Sequence, residues 1–82
     1  MVLVDTYVPA LDKAYDFNLD EKVPVRVIIE EMTEMIGQKE HAVITGDVSS
    51  MMLCDAGREL ALSREQTLAQ SGIHNGSSLI LI

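Results

Sequence analysis

The sequence predicts an α+β fold, a mixed sheet of four to five strands packed on one main helix. Two adjacent stretches near the amino terminus alternate apolar and polar residues with a period of two. A later stretch repeats its apolar residues with the helical period, and the chain closes on the uncharged run Leu79-Ile80-Leu81-Ile82. Period two marks strands with one dry face, while i, i+3, i+4, i+7 marks an amphipathic helix.

In chain order, Val2, Val4, Thr6 and Val8 alternate with Leu3, Asp5 and Tyr7, and Pro9 ends this first strand. Ala10 to Lys13 reads as a reversal. Tyr15, Phe17 and Leu19 then alternate with Asp16, Asn18 and Asp20, so the two runs form an antiparallel hairpin. From Pro24 the apolar residues fall at Val25, Ile28, Ile29, Met32 and Ile36, with Glu30, Glu31 and Glu34 on the wet side. Proline suits a first helical turn, and Gly37 sits where a left-handed terminating residue is expected.

Residues 38–50 carry weaker signals. Ala42-Val43-Ile44 fits a helical turn or an extended rung, and Gly46-Asp47 is a turn signal. Met51-Met52-Leu53-Cys54 reads as a third strand closed by Asp55 to Arg58, and Glu59 to Leu62 as a short fourth. Thr67 and Gln70 have the spacing of a capping box, which predicts a short turn of helix anchored by Leu68 and Ile73. Asn75-Gly76 is a hairpin-type turn signal, and Ser78 to Ile82 is the last strand. One long helix and this strand order favour a last strand parallel to the first, joined by a crossover through the helix. That is the β-grasp arrangement.

Composition narrows the function. The 82 residues form a single expected domain, 1–82, with 48% hydrophobic and 23% charged content, which is globular rather than disordered. A chain of this size buries only roughly 60–65% of its unfolded surface, so it depends on good packing. Cys54 is the only cysteine, which excludes an internal disulfide and multi-cysteine zinc sites and suits a reducing cytoplasm. The net charge of −7, with the cationic side chains scattered singly, argues against nucleic acid and anionic membranes as partners. No run approaches the roughly 20 apolar residues of a membrane span. A cytoplasmic location is the expectation.

The residues that often carry chemistry have plainer readings. Asp16 to Asp20 matches the first half of a calcium-binding loop, but Glu21 stands where glycine is needed and Val27 where the bidentate glutamate belongs. His41 and His74 are far apart in polar stretches, and Cys54 has no basic neighbour in sequence to lower its pKa. Asn75-Gly76-Ser77 is formally a glycosylation sequon but reads as a turn. No catalytic, cofactor-binding or metal-binding residue is assigned, and the expectation is a protein that is not an enzyme.

Several stretches resemble ubiquitin. Val25, Ile28 and Met32 follow Leu19 with ubiquitin-like spacing, Ala56-Gly57-Arg58-Glu59-Leu60 is similar to the loop between its third and fourth strands, and Thr67-Leu68, Ile73 and Ser77 to Leu81 align with its closing segment. The Gln38–Ser50 connection is longer than in ubiquitin. Length and the run Ser71-Gly72-Ile73-His74-Asn75-Gly76 before a terminal apolar strand resemble more specifically the small bacterial ubiquitin-like proteins of the YukD/EsaB type, associated with type VII (WXG100, ESX-like) secretion. This resemblance implies a β-grasp fold and a cytoplasmic accessory or regulatory role in such a system.

Conjugation and sulfur-carrier chemistry require a di-glycine tail, and this sequence stops at Ile82. The expectation is a non-conjugated interaction module. The alternative is a carrier or modifier whose tail is missing from this chain. Under the β-grasp arrangement Leu53, Leu79 and Leu81 point inward, and Met52, Cys54, Ile80 and Ile82 share the outer sheet face. Cys54 and Ile82 match two positions of ubiquitin's apolar recognition patch. The expected protein-binding residues are therefore Met52, Cys54, Ile80 and Ile82, unless residues 38–50 or the amino-terminal loop cover them. A homodimer through this face, possible also by edge pairing, is a third option.

Overall fold

The computed structural model describes residues 1–41 and 48–82. Strands β1 (Val2–Val8), β2 (Lys13–Leu19), β3 (Leu53–Asp55), β4 (Leu60–Ala61) and β5 (Ser78–Leu81) form one mixed sheet in the order β2-β1-β5-β3-β4. Helix α1 (Val25–Glu40) supplies the opposing layer, and a 3-10 turn spans Val48–Ser50. This is the ubiquitin-like β-grasp fold. The readings Ala42-Val43-Ile44 and Gly46-Asp47 lie outside the described residues.

The hairpin pairs Val2 with Leu19 through Val8 with Lys13. Its reversal is closed by Leu11 and Asp12 N–H donating to the carbonyls of Val8 and Pro9, with Asp12 at φ 50°. β5 joins β1 in parallel, Thr6 beside Leu79 and Tyr7 beside Ile80, and joins β3 antiparallel, Leu53 beside Leu81 and Cys54 beside Ile80. Inward residues of the sheet, among them Val4, Phe17, Leu19, Leu53, Leu79 and Leu81, pack with Val25, Ile28, Ile29, Met32 and Ile36 of α1 and with Leu68 and Ile73 of the closing segment. Apolar burial of this kind contributes about 25 cal/mol per Å² removed from water.

Both ends of α1 differ from the sequence reading. Pro24 is the cap residue rather than part of the first turn, with extended backbone and no side-chain cap. Its place is taken by a distant segment: Val25 N–H donates to the Gln66 carbonyl at 2.8 Å and Arg26 N–H to the Arg64 carbonyl at 3.0 Å. Orphan donors at a helix start need such partners when they lie against the core. At the other end the helix runs past Gly37 to Glu40, and the left-handed residue is His41, at φ 52°. Side-chain tethers to β2 hold the extra turn. Tyr15 Oη donates to Glu40 Oε1 at 2.7 Å, Lys13 Nζ lies 2.8 Å from Glu40 Oε2, and Lys39 Nζ sits 5.3 Å from the Tyr15 ring centre.

Other boundaries shift modestly. β3 begins at Leu53 rather than Met51, because Met51 N–H is used by the Val48 carbonyl of the 3-10 turn. β4 shortens to two residues. The capping box is formed, with Thr67 N–H donating to Gln70 Oε1 and Gln70 N–H to Thr67 Oγ1, but it closes hydrogen-bonded turns instead of a helix. Asn75-Gly76 is not a hairpin turn, since β5 runs parallel to β1. Ser77 N–H donates to the His74 carbonyl across it and Gly76 alone takes positive φ, 87°. The turn docks on β1 through Leu3 N–H to Asn75 Oδ1 and Gly76 N–H to the Leu3 carbonyl, both 2.9 Å.

A polar cluster around the buried Asp55 ties the β3–β4 turn to the closing segment. Asp55 accepts from the backbone of Gly57 and Arg58 and from Arg58 Nε, while Arg58 Nη2 donates to the Ser71 carbonyl. Gly72 follows at φ 77°, and a Cβ there would lie 3.0 Å from the Arg58 guanidinium. Thr6, fully buried, has no hydrogen-bond partner for Oγ1 among the described residues.

These observations predict two stability effects. Thr6→Val removes an unsatisfied buried hydroxyl at nearly constant volume and should raise the urea unfolding free energy by about 1 kcal/mol; an equal loss would show that the hydroxyl is satisfied. The second effect concerns pH. The Arg58 side chain holds the Asp55 carboxyl below its ordinary range, and Lys13, then Tyr15, do the same for Glu40. A depressed folded pKa contributes stability above the unfolded value that is lost as pH falls through the folded one. Tyr15 is pushed up to about 12, first by its hydrogen bond to Glu40, so its contribution is present below the ordinary 10.0 and lost as pH rises toward 12. The urea midpoint should fall on the acid side below the ordinary carboxyl range and on the alkaline side above 10. Asp55→Asn should flatten the acid limb and Tyr15→Phe the alkaline one.

Candidate protein-interaction surface

Alternation along each strand decides which residues reach the face away from α1. On β1 these are Leu3, Asp5 and Tyr7, since Val4, Thr6 and Val8 are buried. On β5 they are Ser78 and Ile80, and on β3 Cys54. Register then lines them up. Tyr7 lies beside Ile80, Ile80 beside Cys54 and Cys54 beside Ala61, a row crossing the sheet from β1 to β4.

Met52 and Ile82 extend this face by one rung. They lie just outside the strands, yet Met52 N–H donates to the Ile82 carbonyl at 2.6 Å and Ile82 N–H to the Met52 carbonyl at 2.9 Å. Their side chains are 45% and 56% exposed, while Cys54 and Ile80 are half-buried by their neighbours. The structure thus brings Met52, Cys54, Ile80 and Ile82 together. Tyr7, 40% exposed, and Ala61 complete the row and were missed in the sequence. The alternation of β1 had placed Tyr7 outward, but its adjacency to Ile80 depends on a pairing between the two ends of the chain. Tyr7 Oη donates to Asp12 Oδ1 at 2.7 Å, and this bond to a carboxylate raises its pKa.

The other half of the outer face is polar apart from the exposed Leu3. Asp5 stands directly opposite Asp16, and Leu3 opposite Asn18. None of these outward residues is basic. Lys13, the cation of β2, is engaged by Glu40, and Arg58 by Asp55.

Residues considered for other chemistry take structural positions. Asp16 and Asn18 lie on the outer side of β2 while Phe17 enters the core, and Asp20 Oδ1 accepts from Lys22 N–H at 2.9 Å. His41 caps α1, and His74 Nδ1 contacts the Asn75 carbonyl. Among the described residues no group of three or more His, Cys, Asp or Glu is placed to hold a metal, and no helix is long and apolar enough to cross a membrane.

Comparison with known proteins identifies the family. The model for the protein YukD of the WXG100 protein secretion system (Wss) matches residues 2–81. The chain belongs to the YukD family. It is thus a ubiquitin-like domain associated with type VII-like secretion. No curated protein matches it by sequence. Solved structures agree on the fold. The EccD5 ubiquitin-like domain from Mycobacterium xenopi is 20% identical with a TM-score of 0.77, over 99% of this chain and 91% of that one. The ubiquitin of Caldiarchaeum subterraneum is 15% identical with a TM-score of 0.72, over 99% and 90%. The N-terminal ubiquitin-like domain of the 4931431F19Rik protein is 22% identical with a TM-score of 0.71, over 99% and 72%.

The two faces of β5 should respond differently to substitution. Leu81→Ala, at a site 1% exposed, should cost about 2–5 kcal/mol in urea unfolding. Ile82→Ser on the outer face should stay within about 0.5 kcal/mol. Similar losses at both positions would show that the outer face is covered.

Proposed function

We propose that this protein is a non-enzymatic interaction module, acting in the cytoplasm as an accessory or regulatory component of a type VII-like secretion system. It docks a protein partner through Met52, Cys54, Ile80 and Ile82, with Tyr7 at the margin of the site. The observation that carries this reading is the outward apolar row Tyr7–Ile80–Cys54–Ala61, flanked by the exposed Met52 and Ile82. Contiguous apolar surface on a small soluble domain marks a partner site, and unbranched Met side chains adapt to irregular partners. Family membership supports a secretion component as that partner.

The test uses the purified components of a WXG100 secretion system, offered one by one to the immobilised protein. Wild type should retain at least one of them. Cys54→Asp combined with Ile80→Asp should abolish retention while the circular dichroism spectrum stays native. Retention by the folded double variant would overturn the docking assignment.

A further inference from the structure

We infer that the occupant of this face is a basic amphipathic helix, lying across the strands with its apolar stripe on the Tyr7–Ile80–Cys54 row and its cationic flank over Asp5 and Asp16. This inference rests on the docking reading above and adds the chemistry of the partner. Two observations carry it. The first is charge. Asp5 and Asp16 face each other directly across β1 and β2, both exposed. Among the described residues neither has a cation within ion-pair distance. Like charges directly opposed on neighbouring strands destabilise a sheet, and the net charge of −7 deepens the negative field around them. A Lys or Arg side chain from a partner relieves that repulsion, so binding gains where the free domain loses.

The second observation is spacing. The apolar row runs perpendicular to the strands, whose separation is about 4.8 Å. A helix advances about 5.4 Å per turn, so one apolar anchor per turn falls successively over Tyr7, Ile80 and Cys54. The neighbouring line Asp16–Asp5–Ser78 is two residues away along the strands, about 7 Å. That is within reach of long cationic side chains on the flank of a helix roughly 10 Å wide. An added strand cannot use this face, because strand addition requires a free sheet edge, which among the described residues only β2 and β4 offer.

The probe is a synthetic helical peptide with a leucine stripe at i, i+3/i+4, i+7 flanked on one side by lysines. A matched peptide carries glutamates in place of the lysines. Each is titrated into the isotope-labelled protein and followed by amide chemical shifts. The lysine peptide should shift Asp5, Tyr7, Asp16, Cys54 and Ile80, with affinity falling as salt rises, and the glutamate peptide should bind at least ten-fold more weakly. Asp5→Asn with Asp16→Asn should weaken the lysine peptide at least ten-fold and raise the melting temperature of the free domain.

Equal binding of both peptides at the apolar row, or indifference to the Asn variant, overturns the charge assignment and leaves the docking face standing. Shifts confined to α1 or to a sheet edge, or no binding of the lysine peptide, overturn the helix inference. The docking face itself is then judged separately by the Cys54→Asp/Ile80→Asp retention experiment. Concentration-dependent sedimentation with self-association shifts at Ile80 and Cys54 makes a second copy of this chain the occupant and also overturns it.

Discussion

The fold and the candidate surface both depend on the parallel pairing of β5 with β1. These strands come from opposite ends of the sequence, and β5 inserts between β1 and β3. One register then fixes two sets of neighbours. Thr6 beside Leu79 and Leu53 beside Leu81 close the core, while Tyr7 beside Ile80 and Cys54 beside Ile80 build the outer row. Side chains alternate with a period of two, so a slip by one residue would exchange the faces. Burying Ile80 and Ile82 in place of Leu79 and Leu81 would strand leucines in water and repack the helix interface, which is why the register is strongly specified. The Asn75-Gly76 turn supports it from one end, since both Asn75 Oδ1 and Gly76 N–H bond to the Leu3 backbone.

The segment leading to β5 also completes the helix layer. Gln66 and Arg64 carbonyls accept the first N–H groups of α1, and Ala69 N–H donates to the Glu21 carbonyl. Arg64 Nη1 reaches the Met51 carbonyl, and Arg58 joins Asp55 to Ser71. Backbone groups of otherwise irregular loops are satisfied by one another, as buried polar groups require. Loop and helix cap are therefore one unit, and it is formed only when the sheet brings residues 64–69 beside the start of α1.

Much of this was legible in the sequence because it is local and periodic. The alternation of Val2 to Val8 and Tyr15 to Leu19 and the apolar stripe from Val25 to Ile36 report a dry face directly, while the inward Leu53, Leu79 and Leu81, set in continuously apolar runs, were placed by the β-grasp resemblance. What escaped was set by distant partners. Gly37 carried a stop signal, but Glu40 and Lys39 found Tyr15 and Lys13 on β2 and held a further turn. Pro24 carried a helix-start signal, yet its position as a cap reflects the Gln66 and Arg64 carbonyls. Asn75-Gly76 signalled a hairpin-type turn, but the turn instead docks on Leu3 of β1, and the parallel course of β5 was expected from the crossover through the helix. Met52, Cys54, Ile80 and Ile82 could be placed on one face by parity once the β-grasp resemblance had said which residues point inward. Tyr7, Ala61 and the opposed Asp5 and Asp16 required the registers of β1 with β5, β3 with β4 and β1 with β2.

An apolar row and an opposed acidic pair sharing one sheet face follow from those same registers, so the surface stands or falls with them. The most direct test is a proton NOE measurement on the free protein, reading contacts between the Tyr7 ring and the side chains of β5. The structure predicts contacts from the Tyr7 ring to the Ile80 methyls and from Ile80 to the Cys54 β-protons. Contacts from Tyr7 to Leu79 or Leu81 instead would mean a register displaced by one residue, and would contradict both the core and the surface described for this chain.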